Sequence, residues 1–461
     1  MLEQGPDTYF FKNNDEREVE KFVGIQVYAT SKIEGIGGEY KKNFKDFIVR
    51  EIESNGKILS IKEDYKITPF SDELKDKYTT FNLIKVNKDT FEAIRRISKD
   101  LKIPYNSFSY SGLKDKYSIS VQKVSVKGDY IKQLSKLKIN DIFIRSIYPT
   151  RKPVKLGSHL GNNFKITIRS IEAKKDLKTH IEEYIKFLNE FGFPNYFGLQ
   201  RYGNYRPNSH IVGRYILEGD FEKAFKEFVS TTYSTESLES KTVRRELRNT
   251  GNFEKAYNDF PKSLKYERNM IEYLIDNPED YEGSINTLPP DLIRLLISSF
   301  QSYLFNKMLS LRVEKNYPLF NPVEGDVLSI LDDYNGRITL VKYIYGKSYD
   351  KYLEKALKLN RAAIIIPIIG TDTRLDEYPL MKLLYNETLK QENIRKDLFY
   401  NTLVLEQEYK GSIRAITAKP ISLKILEFNV DELNPGKYKL KLEFSLQKGT
   451  YATMLIRELI K

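Results

Sequence analysis

"GKYKLKLEFSLQKG", residues 436–449, alternates without a break. Tyr438, Leu440, Leu442, Phe444 and Leu446 fall on one face, and Lys439, Lys441, Glu443 and Ser445 on the other. A period of two over nine residues predicts a half-buried strand. "KDFIVREI" (45–52) and "NNFKITIRSI" (162–171) read the same way, the latter with Phe164, Ile166 and Ile168 opposite Lys165, Thr167 and Arg169. Helical periods lie among these strands. "DTFEAIRRISKDL" (89–101) opens on a capping Asp89. From Pro289 a long segment carries Ile293, Leu296, Ile297, Phe300, Leu304, Met308 and Leu311 at helical spacing. Residues 214–409 are the helix-rich part, flanked on both sides by strand-rich sequence. That predicts a discontinuous core, residues 1–213 and 410–461, interrupted by an inserted domain at 214–409. No internal repeat or low-complexity tract is present.

With 461 residues, 40% of them hydrophobic and 13% aromatic, the chain can build two or three cores. Its longest apolar stretch, Ala362–Ile369, is too short to span a bilayer and contains Pro367. The N-terminal stretch lacks the positive-then-apolar pattern of a signal peptide. A soluble, cytoplasmic protein is expected, with no membrane partner. There is no cysteine, which excludes disulfides, thiol nucleophiles and thiolate metal sites. His159, His180 and His210 are far apart, and no phosphate-binding glycine loop occurs. No cofactor and no metal are expected. The formal charge is +12, from 75 Lys and Arg against 63 Asp and Glu. That excess fits a polyanionic partner, and 33 Tyr and 26 Phe could supply stacking surfaces. A thermophile-like surface of lysine–glutamate pairs explains the composition equally well.

"YSGLKDKYSISVQ" (110–122) places Asp115 between Lys114 and Lys116, just after Gly112. Taken alone, this is a solvated turn. Four further stretches change that reading: "VGIQVYATSKIEGIGGEYKKNFKDFIVREI" (23–52), "FPNYFGLQRYGNYRPNSHIVGR" (193–214), "SFQSYLFNKMLSLR" (299–312) and "FSLQKGTYATMLIREL" (444–459). Together the five resemble the TruD family of tRNA pseudouridine synthases, in its archaeal type, over nearly the whole chain. The resemblance implies an α+β fold: a pseudouridine-synthase catalytic core on a mixed, mainly antiparallel sheet, with a large inserted α/β domain of the TRUD type for RNA recognition. It implies isomerisation of a uridine, that at position 13 of tRNA, to pseudouridine.

The same resemblance makes Asp115 the catalytic nucleophile. A carboxylate can attack the ribose C1′ or the uracil C6, or take a proton from C2′. Gly112 would allow close backbone approach to a ligand. Asn195 and Phe197 match the residues that hold the flipped target base, one by its edge and one by stacking. Phe47 and Tyr451 match aromatics near the substrate, and Lys41 a nearby basic residue. Lys114, Lys116, Arg201 and Arg206 are candidate phosphate contacts. Family members often carry Arg, Ala and Thr downstream of the aspartate; here those places hold Tyr117, Ser118 and Ser120, while Gln122 matches. His210 follows family usage without an assignable chemistry. A monomer acting on tRNA is the expected state. The alternative is a non-catalytic RNA-binding protein on the same scaffold, which leaves an aspartate in a basic cleft unexplained. A metal-dependent nuclease would need clustered carboxylates, which the motifs lack.

Overall fold

The computed structural model describes residues 8–9, 16–62, 66–70, 78–203, 205–332, 336–346, 350–399 and 408–461. The chain divides into two compact units, one of Thr30–Phe193 with Ala418–Lys461, the other of Met1–Ala29 with Pro194–Thr417. The first unit is made of two separated segments, and its divisions differ from the expected ones. They fall at 193/194 and 417/418 rather than 213/214 and 409/410, and residues 1–29 go with the intervening unit. Two hydrogen bonds tie the N-terminal segment to that unit. Asn306 Nδ2 donates to the Val23 carbonyl (3.1 Å), and the Gln26 amide donates to Ser310 Oγ (3.0 Å).

Following the chain, the core unit supplies β1 (Glu39–Tyr40), β2 (Phe47–Ile52), β3 (Tyr78–Val86), α1 (Thr90–Leu101), β4 (Phe108–Tyr110), β5 (Ile119–Lys127), β6 (Ile142–Thr150), β7 (Gly161–Ile171) and α2 (Leu177–Phe191). The intervening unit follows. It contains α3 (Ser209–Glu218), the 25-residue α4 (Pro290–Glu314), and β8 (Val327–Leu331), β9 (Ile338–Ile344), β10 (Ala362–Ile368) and β11 (Ser412–Ala415). These strands pair antiparallel in the order β9-β8-β10-β11. The core unit then resumes with β12 (Ile421–Val430), β13 (Tyr438–Gln447) and α5 (Ala452–Ile460).

The core sheet runs β12-β13-β7-β2-β5-β3-β6, with β1 beside β7 and β4 beside β5. It is mixed and mainly antiparallel, so the fold is α+β as the resemblance implies. The alternating strand that opens the sequence reading, β13, pairs with β7 through Leu442↔Ile166 and Phe444↔Phe164. α1 begins as expected, with Asp89 Oδ1 accepting from the Glu92 amide at 2.7 Å. Its buried Ala93, Ile94 and Ile97 join Phe81, Leu83, Val124 and Val126 in one hydrophobic cluster. Among the described residues, β2 with β5 is the parallel pair of this sheet, in register Ile48↔Ile119 and Arg50↔Val121. Parallel strands begin at the same end. The chain entering β2 and the chain entering β5 therefore meet there, and these two segments carry Lys41 and Asp115.

Candidate active site

Asp115 lies on the loop between β4 and β5, its side chain 33% exposed. Lys41 Nζ reaches its Oδ2 at 3.1 Å. Lys41 adopts φ +58°, a left-handed backbone disfavoured for residues with a Cβ. Such strain persists where the surroundings hold it, often at functional sites. Its ammonium also stands 4.4 Å over the Phe47 ring, which is 2% exposed and packs edge-on to Phe164. Phe47 therefore supports the lysine from beneath and presents no open face.

The loop is fixed through its main chain. Lys85, near the end of β3 and fully buried, donates from Nζ to the carbonyls of Lys88 (2.6 Å), Asp115 (2.8 Å) and Lys114 (3.2 Å). Burial pushes the Lys85 ammonium down to about 8, opposed by the negative charge of Asp115. Ser118 Oγ donates to the Asp115 carbonyl at 2.8 Å, and Tyr117 OH donates to the Lys42 carbonyl at 3.2 Å. Two of the positions that depart from family usage thus hold the loop in place. Gln122 Nε2 donates to the Gly112 carbonyl (3.1 Å) and its Oε1 accepts from Thr90 Oγ1 (2.9 Å). Gly112 meets a neighbouring ring rather than open space, since a Cβ there would lie 3.2 Å from His159 Cε1.

Beneath the loop is a buried ion pair. Lys114 Nζ lies 2.9 Å from Glu51 Oε2, both side chains 2% exposed, and Ser111 Oγ donates to the same oxygen at 2.6 Å. Lys114 is therefore not a phosphate contact, because RNA could reach it only by breaking a pair sealed from water. Lys116 is exposed and makes no ion pair with a described residue. Tyr451 is the half-buried N-cap of α5. The turn before it is tied toward the Asp115 loop by Lys448 Nζ donating to the Gly157 carbonyl (2.8 Å) and the Gly157 amide donating to that of Ser111 (2.7 Å).

The "NYFG" residues belong to the intervening unit and are organised there by Arg414. Its Nε donates to the Asn195 carbonyl (2.9 Å) and its Nη2 to Asn195 Oδ1 (2.7 Å), while the guanidinium covers the Phe197 ring at 4.1 Å. Asn195 Nδ2 donates to the Ala415 carbonyl at 3.0 Å. Phe197 is 9% exposed, edge-on to Phe305, and its amide donates to Asn306 Oδ1 at 2.9 Å. One face of the Phe197 ring is thus covered by a cation. Arg201 is half-buried, donating to the hydroxyls of Ser298 (2.7 Å) and Ser302 (3.2 Å).

Arg206 differs from expectation. It donates to the carbonyls of Phe228 (2.6 Å), Glu227 (2.7 Å) and Thr231 (3.1 Å) and lies 3.5 Å from Glu236, so it braces the protein rather than meeting phosphate. His210 is a core aromatic, stacked on Tyr303 at 4.8 Å and pushed down to about 3 by burial.

A strained lysine holding an aspartate on a braced loop is an arrangement in which a carboxylate can do chemistry. Comparison with known proteins names the context. The profile of the family described as tRNA pseudouridine synthase D (TruD) matches residues 22–459. The chain belongs to the TruD family. Among relatives, the probable tRNA pseudouridine synthase D of Methanosarcina mazei is 33% identical over 449 residues, covering 96% of this chain and 98% of the relative. That of Thermococcus sibiricus is 31% identical over 454 residues, covering 95% and 98%. The crystal structure of the putative tRNA pseudouridine synthase D from M. mazei superposes with a TM-score of 0.76 at 32% identity, covering 97% of this chain and 98% of that one. TruD membership makes the chain an isomerase, a pseudouridine synthase.

Within the TruD core unit the structure brings together Lys41, Phe47 and Asp115, three of the residues expected at the site. Asn195, Phe197, Arg201 and Arg206 lie in the other unit. Three supporting residues escape the sequence reading: Lys85, Glu51 and Arg414. Lys85 leaves a faint signal as the lone charge in the strand "YTTFNLIKV", and Glu51 and Arg414 leave none. Among the described residues no helix is long and apolar enough to cross a membrane.

Proposed function

We propose that this protein converts a uridine of tRNA, that at position 13 by resemblance, into pseudouridine, with Asp115 as the nucleophile. The observation that carries the reading is the Lys41–Asp115 contact of 3.1 Å on a loop anchored by Lys85, in a TruD chain. Substrate and product have the same atoms. The C1′–N1 bond breaks, a C1′–C5 bond forms, C5 loses a proton and N1 gains one. Asp115 starts the sequence by attack on C1′, attack on C6, or removal of the C2′ proton, each of which uses its carboxylate oxygens. Lys41 orients that carboxylate and Lys85 fixes its main chain.

Asn195 and Phe197 are proposed to contact the target nucleotide in concert with Arg414, whose guanidinium adds a planar donor group to that surface. Tyr451 and Phe47 are proposed to shape the nucleotide's surroundings from the core unit, Phe47 through Lys41. The intervening unit is proposed to contribute RNA recognition, in a monomeric cytoplasmic enzyme. Tritium release from tRNA labelled at uracil C5, followed by mapping of the modified position, tests this reading. Undiminished release by Asp115→Asn would remove the nucleophile assignment.

A further inference from the structure

Residues 101–171 carry fourteen Lys and Arg against three Asp, while the whole chain has a formal charge of only +12. This one segment of the core unit therefore holds nearly all of the net positive charge. Within it, residues 142–171 contain no Asp or Glu at all. The loop joining β6 to β7 holds the exposed cations of that stretch. Arg151, Lys152 and Lys155 are all exposed there, and none pairs with a carboxylate of a described residue. Elsewhere in the core unit exposed lysines do find such partners, as Lys174 does with Glu34 and Lys437 with Glu172. Leu156, beside Lys155, is 79% exposed. A bare apolar side chain among unpaired cations does not suit a merely solvated loop, but it does suit a surface that meets bases and ribose as well as phosphate.

The loop is also pre-shaped and joined to the catalytic segment. The Val154 amide donates to Ser125 Oγ (2.8 Å), the Gly157 amide to the Ser111 carbonyl (2.7 Å), and the Leu160 amide to the Ile52 carbonyl (3.0 Å). Lys448 Nζ donates to the Gly157 carbonyl at 2.8 Å, and the His159 ring packs on Gly112. Ser111 and Gly112 lead directly into Asp115. Cations held on a fixed loop lose little freedom on meeting phosphates.

We propose that Arg151, Lys152 and Lys155 are an RNA phosphate anchor that grips the substrate backbone on the flank of the Asp115 loop. The assignment rests on the reading of the protein as a tRNA pseudouridine synthase. None of the three cations touches the reacting atoms, so they act by positioning.

The test compares two triple charge reversals, each on the full-length protein: Arg151→Glu/Lys152→Glu/Lys155→Glu, and a control, Lys175→Glu/Lys178→Glu/Lys186→Glu, on exposed positions in and just before α2. Both change the net charge equally and in the same unit. Affinity for unmodified tRNA transcript is measured at several salt concentrations, with thermal melting to confirm folding. The loop variant is expected to bind roughly tenfold or more weaker at low salt, and its slope of log affinity against log salt to be shallower by about two. The control is expected to keep most of the slope. At saturating RNA the loop variant is expected to recover much of its single-turnover rate. Equal losses in both variants, or a wild-type slope in the loop variant, would overturn the anchor. Whether the wild-type protein forms pseudouridine in that tRNA separately judges the functional reading, since the binding arms do not depend on turnover.

Discussion

Lys41 Nζ stands 3.1 Å from Asp115 Oδ2 although 74 positions separate the two residues in sequence. The lysine holds this contact from a left-handed backbone at φ +58°. Glycine would relieve that strain, about 1 kcal/mol, while losing a half-exposed ion pair worth roughly as much. Lys41→Gly should therefore melt within a few degrees of wild type and yet lose at least about tenfold in single-turnover rate. Asp115→Asn should abolish turnover while tRNA affinity by filter binding stays near wild type. A fully active Lys41→Gly variant would show that the contact orients nothing.

The buried pair of Glu51 and Lys114 gives a stability prediction. Glu51→Gln leaves the Lys114 ammonium, 2% exposed, without its counter-charge. Breaking one side of such a pair costs about 3–5 kcal/mol. Urea unfolding should show a loss of that order for Glu51→Gln, and Glu51→Gln/Lys114→Met should recover most of it. If the single variant loses less than about 1 kcal/mol, the pair is not sealed from water as described.

Lys85 links stability to pH. Its folded-state value of about 8 lies below the ordinary 10.5, because burial disfavours the ammonium. The sign follows: the unfolded chain binds more protons between these values, so stability rises with pH across that window. The cost is fully present below pH 8 and is of the order of 3 kcal/mol. Urea unfolding at pH 7 and pH 10 should show a gain for wild type that Lys85→Met lacks. Turnover should move the opposite way and fall above pH 8, as the neutral amine keeps only two N–H donors for three carbonyls.

Arg206 and Arg201 should separate cleanly. Arg206→Ala strands three carbonyls and the nearby Glu236, and should lower stability by about 3–5 kcal/mol. Its salt dependence of tRNA binding should stay that of wild type under conditions where it is folded. Arg201 is held by two serine hydroxyls and pairs with no carboxylate of a described residue. Arg201→Ala should cost little stability and flatten the salt slope by about one unit if the guanidinium meets a phosphate.

Alternation and helical period alone located Phe47–Ile52, Gly161–Ile171, Tyr438–Gln447, Thr90–Leu101 and Pro290–Glu314, because each carries a regular apolar period, although Gly161–Ile171 and Pro290–Glu314 are buried on more than one face. Where the units divide was less legible. Local pattern does not report that Asn306 on a long helix bonds to Val23 and Phe197. Asp115 was singled out through its motif, and its lysine partner Lys41 was placed among nearby basic residues. The roles of the other cations were not. Nothing local distinguishes Lys114, facing a buried carboxylate, from Lys116, facing water, although they flank the same residue. Lys85 and Arg414 act through carbonyls and a ring at distant positions, so only the fold brings their partners to them.

β7 lies between β2 and β13 in the core sheet, yet β13 is translated only after the whole of Pro194–Thr417 has been made. At ribosomal speeds the interval is roughly 13–50 s. During that time an eleven-residue strand carries a bare hydrogen-bonding edge on the nascent chain. Such an edge is a template for pairing with any other extended segment nearby. The placement of β13 thus makes this protein a candidate client for chaperones that bind chains still attached to the ribosome.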